Sequence, residues 1–268
     1  LVAPDTVATS AFDQGALMQP ALPSGGLAVT DPHQLASGAL SWTAEVQPGA
    51  AIDVPMTIPF AGVATPIDQR SFDAAVAATA AHWHSRLDRV AIRVPAAKQV
   101  VADTLRTAIA DVLMSRDGPA LKPGTRSYDR SWIRDGAMMA DTLLRMGLDA
   151  PAIAFADWYE TKLFDNGKVP CCVDDRGPDP VPENDAQGEF IHLQVQLYRY
   201  TRDRARLVAA WPKVAAALDY MEQQRQSQRT PAHRTGEGAV GYGLMPPSIS
   251  HEGYSAKPQY SLWDDFWA

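Results

Sequence analysis

Three acidic clusters hold most of the residues in this 268-residue chain whose types and spacing could do chemistry. The first is Tyr128-Asp-Arg-Ser-Trp-Ile-Arg-Asp-Gly136. It joins an apolar plate, Trp132, to a forked five-donor cation, Arg134, and an acceptor, Asp135. Neighbouring sugar hydroxyls need that set: arginine donates, aspartate accepts, and an indole packs on the C–H face. The same residues also fit a helix start, with Asp135 at the N-cap and Arg134 in a salt bridge. The second cluster is Pro182-Glu-Asn-Asp-Ala-Gln-Gly-Glu189. Asp185 and Gln187 could bind hydroxyls there. Asp185 equally suits an N-cap with Glu189 in the first turn, where the helix dipole favours negative charge. The third is Tyr260-Ser-Leu-Trp-Asp-Asp-Phe-Trp267. Asp264 and Asp265 repel each other and their aromatic neighbours desolvate them, and both effects raise the proton affinity of one carboxyl. A carboxylic acid kept protonated near neutral pH is what general acid catalysis requires. The alternative is again a helix start, with the two aspartates as cap residues and the aromatics as core.

Other chemistries find little support. Gly236–Gly243 carries spaced glycines but lacks the preceding strand and the Lys-Ser/Thr of a phosphate loop. A Gly-x-Ser-x-Gly nucleophile elbow is absent. His82 and His84 are two residues apart, so a helix points them to different faces and they cannot share a metal. The two cysteines, Cys171 and Cys172, are adjacent. They exclude a disulfide scaffold and an all-cysteine zinc site, and are read as reduced packing residues. No metal and no organic cofactor is expected.

With 24 basic against 31 acidic residues the net charge is −7, which argues against a nucleic-acid partner. No apolar run approaches the roughly 20 residues needed to span a bilayer. The start, Leu1-Val-Ala-Pro-Asp5, is not a signal peptide. A periplasmic or secreted location is favoured if an upstream signal has been removed. The far end is aromatic and apolar to its last residue, so the chain is read as a fragment that stops inside an element. The oligomeric state is left open.

Residues 1–60 have β character. Ser41–Val46 and Ile52–Ile58 alternate, with a turn signal at Pro48-Gly49, and are expected to be the last strands of a β-sandwich. Residues 61–95 form a helical linker, its helix running Ser71–Leu87 with Ser71 as N-cap. From 96 onward the pattern is helical. Helices are expected at 97–115, Gly136–Met146 with Gly147 as C′ glycine, Pro151–Phe164 with Asp149 near the N-cap, Ala186–Tyr200, a pair broken at Pro212, and one starting near Tyr260. The long connections 116–131, 165–185 and 225–259 separate these helices. Such loops on a rigid helical scaffold commonly build a site.

In order, the three clusters resemble segments of the six-hairpin glycosidases, the (α/α)6 toroids related to glucoamylase. Trp132-Ile-Arg-Asp135 is similar to their Trp-x-Arg-Asp segment. Pro182-Glu-Asn-Asp185 is similar to Pro-Gln-x-Asp-Gly, and Leu262-Trp-Asp-Asp265 to Leu-Trp-Glu-Glu, whose first carboxylate is the general acid. The stretches Val169-Pro-Cys-Cys-Val173 and Pro246–Gly253 look more like bacterial and debranching-type members of that clan.

The resemblance implies a mainly α chain: the end of a β-sandwich, then the first half of an (α/α)6 toroid over 96–268. It implies a glycoside hydrolase, inverting, acting on an α-glucosidic or similar bond of an oligo- or polysaccharide. Asp264 would be the acid. Trp132, Arg134, Asp135, Asp185, Gln187 and Trp263 would hold the sugar, with Asp265, Glu189 and Glu252 as further candidates. Asp replaces Glu at 264, which sets the acid one methylene nearer the backbone. The family's general base belongs to a later hairpin, beyond Ala268. Two rivals remain: a glycoside phosphorylase on the same scaffold, and a non-catalytic carbohydrate-binding or scaffold protein.

Overall fold

The computed structural model describes residues 3–14, 28–59, 61–63, 65, 67–249 and 257–268. They form two compact units, Leu1–Ala81 and His82–Ala268.

The first unit holds a two-stranded antiparallel ladder. β1 (Thr6–Ser10) pairs with β2 (Ser37–Ser41), setting Val7 opposite Leu40 and Ala8 opposite Ala39. The alternating segments expected as strands are not strands beyond Ser41, and Ile52, Met56 and Ile58 are exposed. Alternation makes a strand only where a neighbour takes up its backbone groups, and Pro55 removes one donor from this run. Among the described residues there is no β-sandwich. Helix α1 (Gln69–Leu87) crosses the division between units. Asp68, not Ser71, caps its start: Asp68 Oδ1 accepts from the Ser71 backbone N at 2.8 Å.

The second unit is helical around a small sheet. In chain order it contains α2 (Gln99–Met114), β3 (Ser131–Trp132), α3 (Ile133–Arg145), α4 (Asp149–Glu160), β4 (Cys172–Asp174), β5 (Gly177–Pro178), α5 (Ala186–Thr201), α6 (Arg204–Gln228) and α7 (Leu262–Trp267). Seven α-helices stand among the described residues, 51% of which are helical, so the protein is mainly α. A complete six-hairpin toroid would need twelve. The sheet order is β3-β4-β5, antiparallel throughout.

Helix α3 starts three residues earlier than its pattern suggests, and Asp135 lies in the first turn rather than at the N-cap. The cause is tertiary. The Ile133 N–H, an orphan donor of the first turn, reaches Cys171 O at 3.0 Å, so the residue before β4 satisfies what a cap side chain would. The helix ends as read, on Gly147 at φ +70°. Gly147 N donates to Leu144 O at 3.0 Å and Leu148 N to Leu143 O at 2.8 Å, the paired bonds of a Schellman ending. Helix α4 begins at Asp149, which stands in its first turn behind Leu148 at the N-cap.

Helix α6 corrects another expectation: it is one 25-residue helix with Pro212 inside. Proline takes the bond from the carbonyl four residues back, here Val208. Val208 and Trp211 are exposed, so this lesion sits on the wet face, where water can serve the freed carbonyl.

α3 packs against both α4 and α5, and α5 against α4, α6 and α7. Their shared core includes Leu143, Leu144, Phe155, Tyr159, Phe190, Leu193 and Leu197. α3 and α4 approach closely because Gly136 has no Cβ; one there would strike the Phe155 ring. Gly188 plays the same part between α5 and α7, facing the Trp267 carbonyl.

Candidate functional site

The three clusters meet at one carboxylate oxygen. Arg134 Nη1 donates to Asp185 Oδ2 at 2.9 Å and to Glu183 Oε2 at 3.0 Å. Trp263 Nε1 donates to the same Asp185 Oδ2 at 2.7 Å. Each group comes from the beginning of a helix: Arg134 from the first turn of α3, Asp185 from the N-cap position of α5, Trp263 from the first turn of α7. The starts of these three alternate helices therefore converge.

The capping interpretation fails for Asp185. Its backbone is already helical and its side chain makes no cap bond. Asp264 and Asp265 do not cap α7 either, where Ser261 holds the N-cap position. Asp264 Oδ2 accepts from Ser248 Oγ at 2.6 Å, and Asp265 Oδ1 from the Met245 backbone N at 3.0 Å. Residues 245–249 thus lie between α7 and the turn before α5. They reach that turn through Asn184 Nδ2 to Pro246 O at 2.8 Å and Ile249 N to Pro182 O at 2.9 Å.

Accessibility divides the group. Trp263 is 38% exposed and the Arg134 side chain 21%, and Trp132 is partly exposed. Both Arg134 bonds use Nη1, so Nε and Nη2 have no hydrogen bond among the described residues. Asp185 (1%) and Asp264 (0%) are shut inside. In this structure Asp185 therefore orients Arg134 and Trp263 from behind. Trp132 lies in β3 opposite Cys172, with the Arg130 guanidinium 5.3 Å from its ring centre. Asp135 is partly exposed in the first turn of α3. Gln187 and Glu189 are buried in the first turn of α5. Glu252 lies outside the described residues.

Charge is unbalanced here. Burial pushes the Glu183 carboxyl up to about 7; Arg134 opposes the rise, while Asp185 and Asp264 add to it. Burial lifts Glu189 further, to about 10, with Asp185 and Glu183 adding and Arg134 opposing. For Arg134 burial disfavours the charge, but Asp185 and Glu183 outweigh it and hold the guanidinium protonated. Among the described residues several buried acceptors have no hydrogen-bond donor: Asp185 Oδ1, Gln187 Oε1, Asp265 Oδ2 and both oxygens of Glu189.

Two members of the network, Glu183 and Ser248, were not singled out in the sequence. Glu183 stands two residues before Asp185 in the second cluster, and that shared acidic segment was the available signal. Ser248 carried none, since its bond to Asp264 depends on how 245–249 folds. Among the described residues the only candidate metal-binding group is Cys171, Cys172 and Asp179. The thiols are reduced and buried, with the sulfurs 2.9 Å apart. The Cys172 thiol raises the proton affinity of Cys171, and burial raises it further, which disfavours the thiolate a metal needs. No helix is long and apolar enough to cross a membrane among the described residues. Comparison with protein-family models, with curated proteins and with solved structures gave no match.

Proposed function

We propose that this chain belongs to a carbohydrate-active protein of six-hairpin type, a glycoside hydrolase of inverting mechanism acting on an α-glucosidic or similar linkage. The observation that carries the reading is the junction of Arg134, Asp185 and Trp263, which unites three segments far apart in sequence. Two indoles and an arginine with spare donors are the groups that bind a sugar ring by its C–H face and its hydroxyls. Asp264 is the proposed acid. Its Oδ2 lies 2.6 Å from the Ser248 hydroxyl, and as the acid its protonated carboxyl would donate to the leaving glycosidic oxygen, which can only accept. Inverting hydrolysis also needs a base, with the two carboxyl groups about 6.5–9.5 Å apart; no described carboxylate is assigned to that role.

The second reading, a non-catalytic carbohydrate-binding protein, is favoured by one fact: Asp264 is fully buried and hydrogen-bonded. Calorimetry of the 268-residue chain with α-linked glucose oligosaccharides tests the shared part. Binding that falls on Trp263→Ala and on Arg134→Lys supports a sugar site; heat of binding unchanged by both removes it. Product analysis then separates the two readings. Release of the opposite anomer, abolished by Asp264→Asn, supports the hydrolase, whereas binding without turnover supports the second reading.

A further inference from the structure

Glu189, like Asp264, is a carboxyl beside the junction with no exposed surface. Among the described residues no donor reaches the two oxygens of Glu189 or Asp185 Oδ1, all of them buried. The residues are neighbours on one helix face: Glu189 N donates to Asp185 O at 3.1 Å, one turn apart. Two ionised carboxylates cannot lie together there, since Arg134, the cation of the network, is already shared by Asp185 and Glu183. One proton placed between Glu189 and Asp185 removes both difficulties. It turns a Glu189 oxygen into a donor and gives Asp185 Oδ1 its missing partner.

We propose that Glu189 is a carboxylic acid held neutral at physiological pH and a positioning residue. It donates its proton to Asp185 Oδ1, so that Asp185 stays ionised and keeps Oδ2 for Arg134 and Trp263. The charged groups that face it are Arg134 from α3 and Glu183 and Asp185 from the turn before α5, while the Tyr159 hydroxyl of α4 is neutral and committed to Pro170 O at 3.0 Å. Burial raises its proton affinity in the same sense. The role of Asp185 toward a sugar rests on the function proposed above, but the protonation of Glu189 does not.

The test therefore uses no substrate. Infrared difference spectroscopy of the 268-residue chain, wild type minus Glu189→Gln at pH 8.5, should show the carbonyl stretch of a protonated carboxylic acid. At that pH an unperturbed carboxyl is ionised. Thermal midpoints from pH 5.5 to 8.5 should diverge, with Glu189→Gln gaining on wild type by about 3–5 °C per pH unit, because only the wild type must hold a proton that its unfolded chain releases. Glu189→Leu, which removes the donor, should lower the midpoint at every pH, and Glu189→Gln should restore it. If Glu189→Gln does not fold, the wild-type spectrum still decides, since no protonated carboxyl at pH 8.5 overturns the proposal. A constant midpoint difference across the range overturns it too. Either failure leaves the sugar-binding measurements untouched, and failure of those leaves this result standing.

Discussion

Arg134 serves two carboxylates through one nitrogen, and that detail separates two of its possible roles. A lysine ammonium could reach both acceptors, so Arg134→Lys should change folding stability by less than about 1 kcal/mol in urea titration. It would remove the other guanidinium donors. Affinity for an α-glucoside should then fall about tenfold or more, since a hydrogen bond to a charged group contributes roughly 1.5–3 kcal/mol. Arg134→Met should behave differently. It strands Glu183 and the 1%-exposed Asp185 without a counter-charge and should cost about 3–5 kcal/mol in the same titration. At the proposed acid, both Asp264 and Asp265 accept a hydrogen bond that an asparagine oxygen could also accept. Asp264→Asn should lower turnover of a natural disaccharide by roughly 10²–10⁴-fold, with a smaller loss on a glycosyl fluoride, whose leaving group needs little protonation. Asp265→Asn should leave most of it. Near-wild-type turnover in Asp264→Asn would dismiss it as the acid.

Helix α7 is placed by an absence. Gly188 of α5 faces the Trp267 carbonyl so closely that a methyl group must push backbone, not a flexible side chain. Gly188→Ala should destabilise by about 1–3 kcal/mol or more, and it should weaken sugar binding beyond what the stability loss explains, because α7 carries Trp263 and Asp264. Equal stability and equal binding in the alanine variant would refute the close docking. The helices of the second unit were legible because their apolar spacing and end signals are local: Gly147 marked the end of α3 and Ala186 the start of α5. The errors came from partners distant in sequence. Pro212 reads as a break, but the exposed face of α6 accommodates it. The run from Ile52 to Ile58 alternates like a strand and pairs with nothing among the described residues, whereas Thr6–Ser10 found Ser37–Ser41. The candidate residues were visible as types, but a cap and a ligand-binding aspartate look alike until the direction of the side chain is known. For Asp185 that direction is set by Arg134 and Trp263, dozens of residues away in the chain.

At the scale of the molecule, the raised carboxyls of the junction draw stability down as pH rises. Glu183 titrates near 7 and Glu189 near 10 in the folded chain, against about 4.5 for an unperturbed glutamate. Above 4.5 the unfolded chain therefore holds fewer protons than the folded one, and these groups subtract stability as pH rises. Each contributes about 1.4 kcal/mol per pH unit, Glu183 up to about pH 7 and Glu189 up to about pH 10. Urea midpoints should fall from pH 5 to 8, and Glu183→Gln should flatten mainly the part below 7. A midpoint that climbs over that range would contradict the charge state assigned to the junction. The adjacent thiols carry a different consequence. Cys171 and Cys172 are the only cysteines in the chain; both are buried in the second unit, and the Cys171 carbonyl holds the first turn of the helix that bears Arg134. A thiol reagent can reach them only when that corner opens. The rate at which the native protein takes up two labels is thus a clock, without any engineered probe, for how often the Arg134 strand–helix corner comes apart.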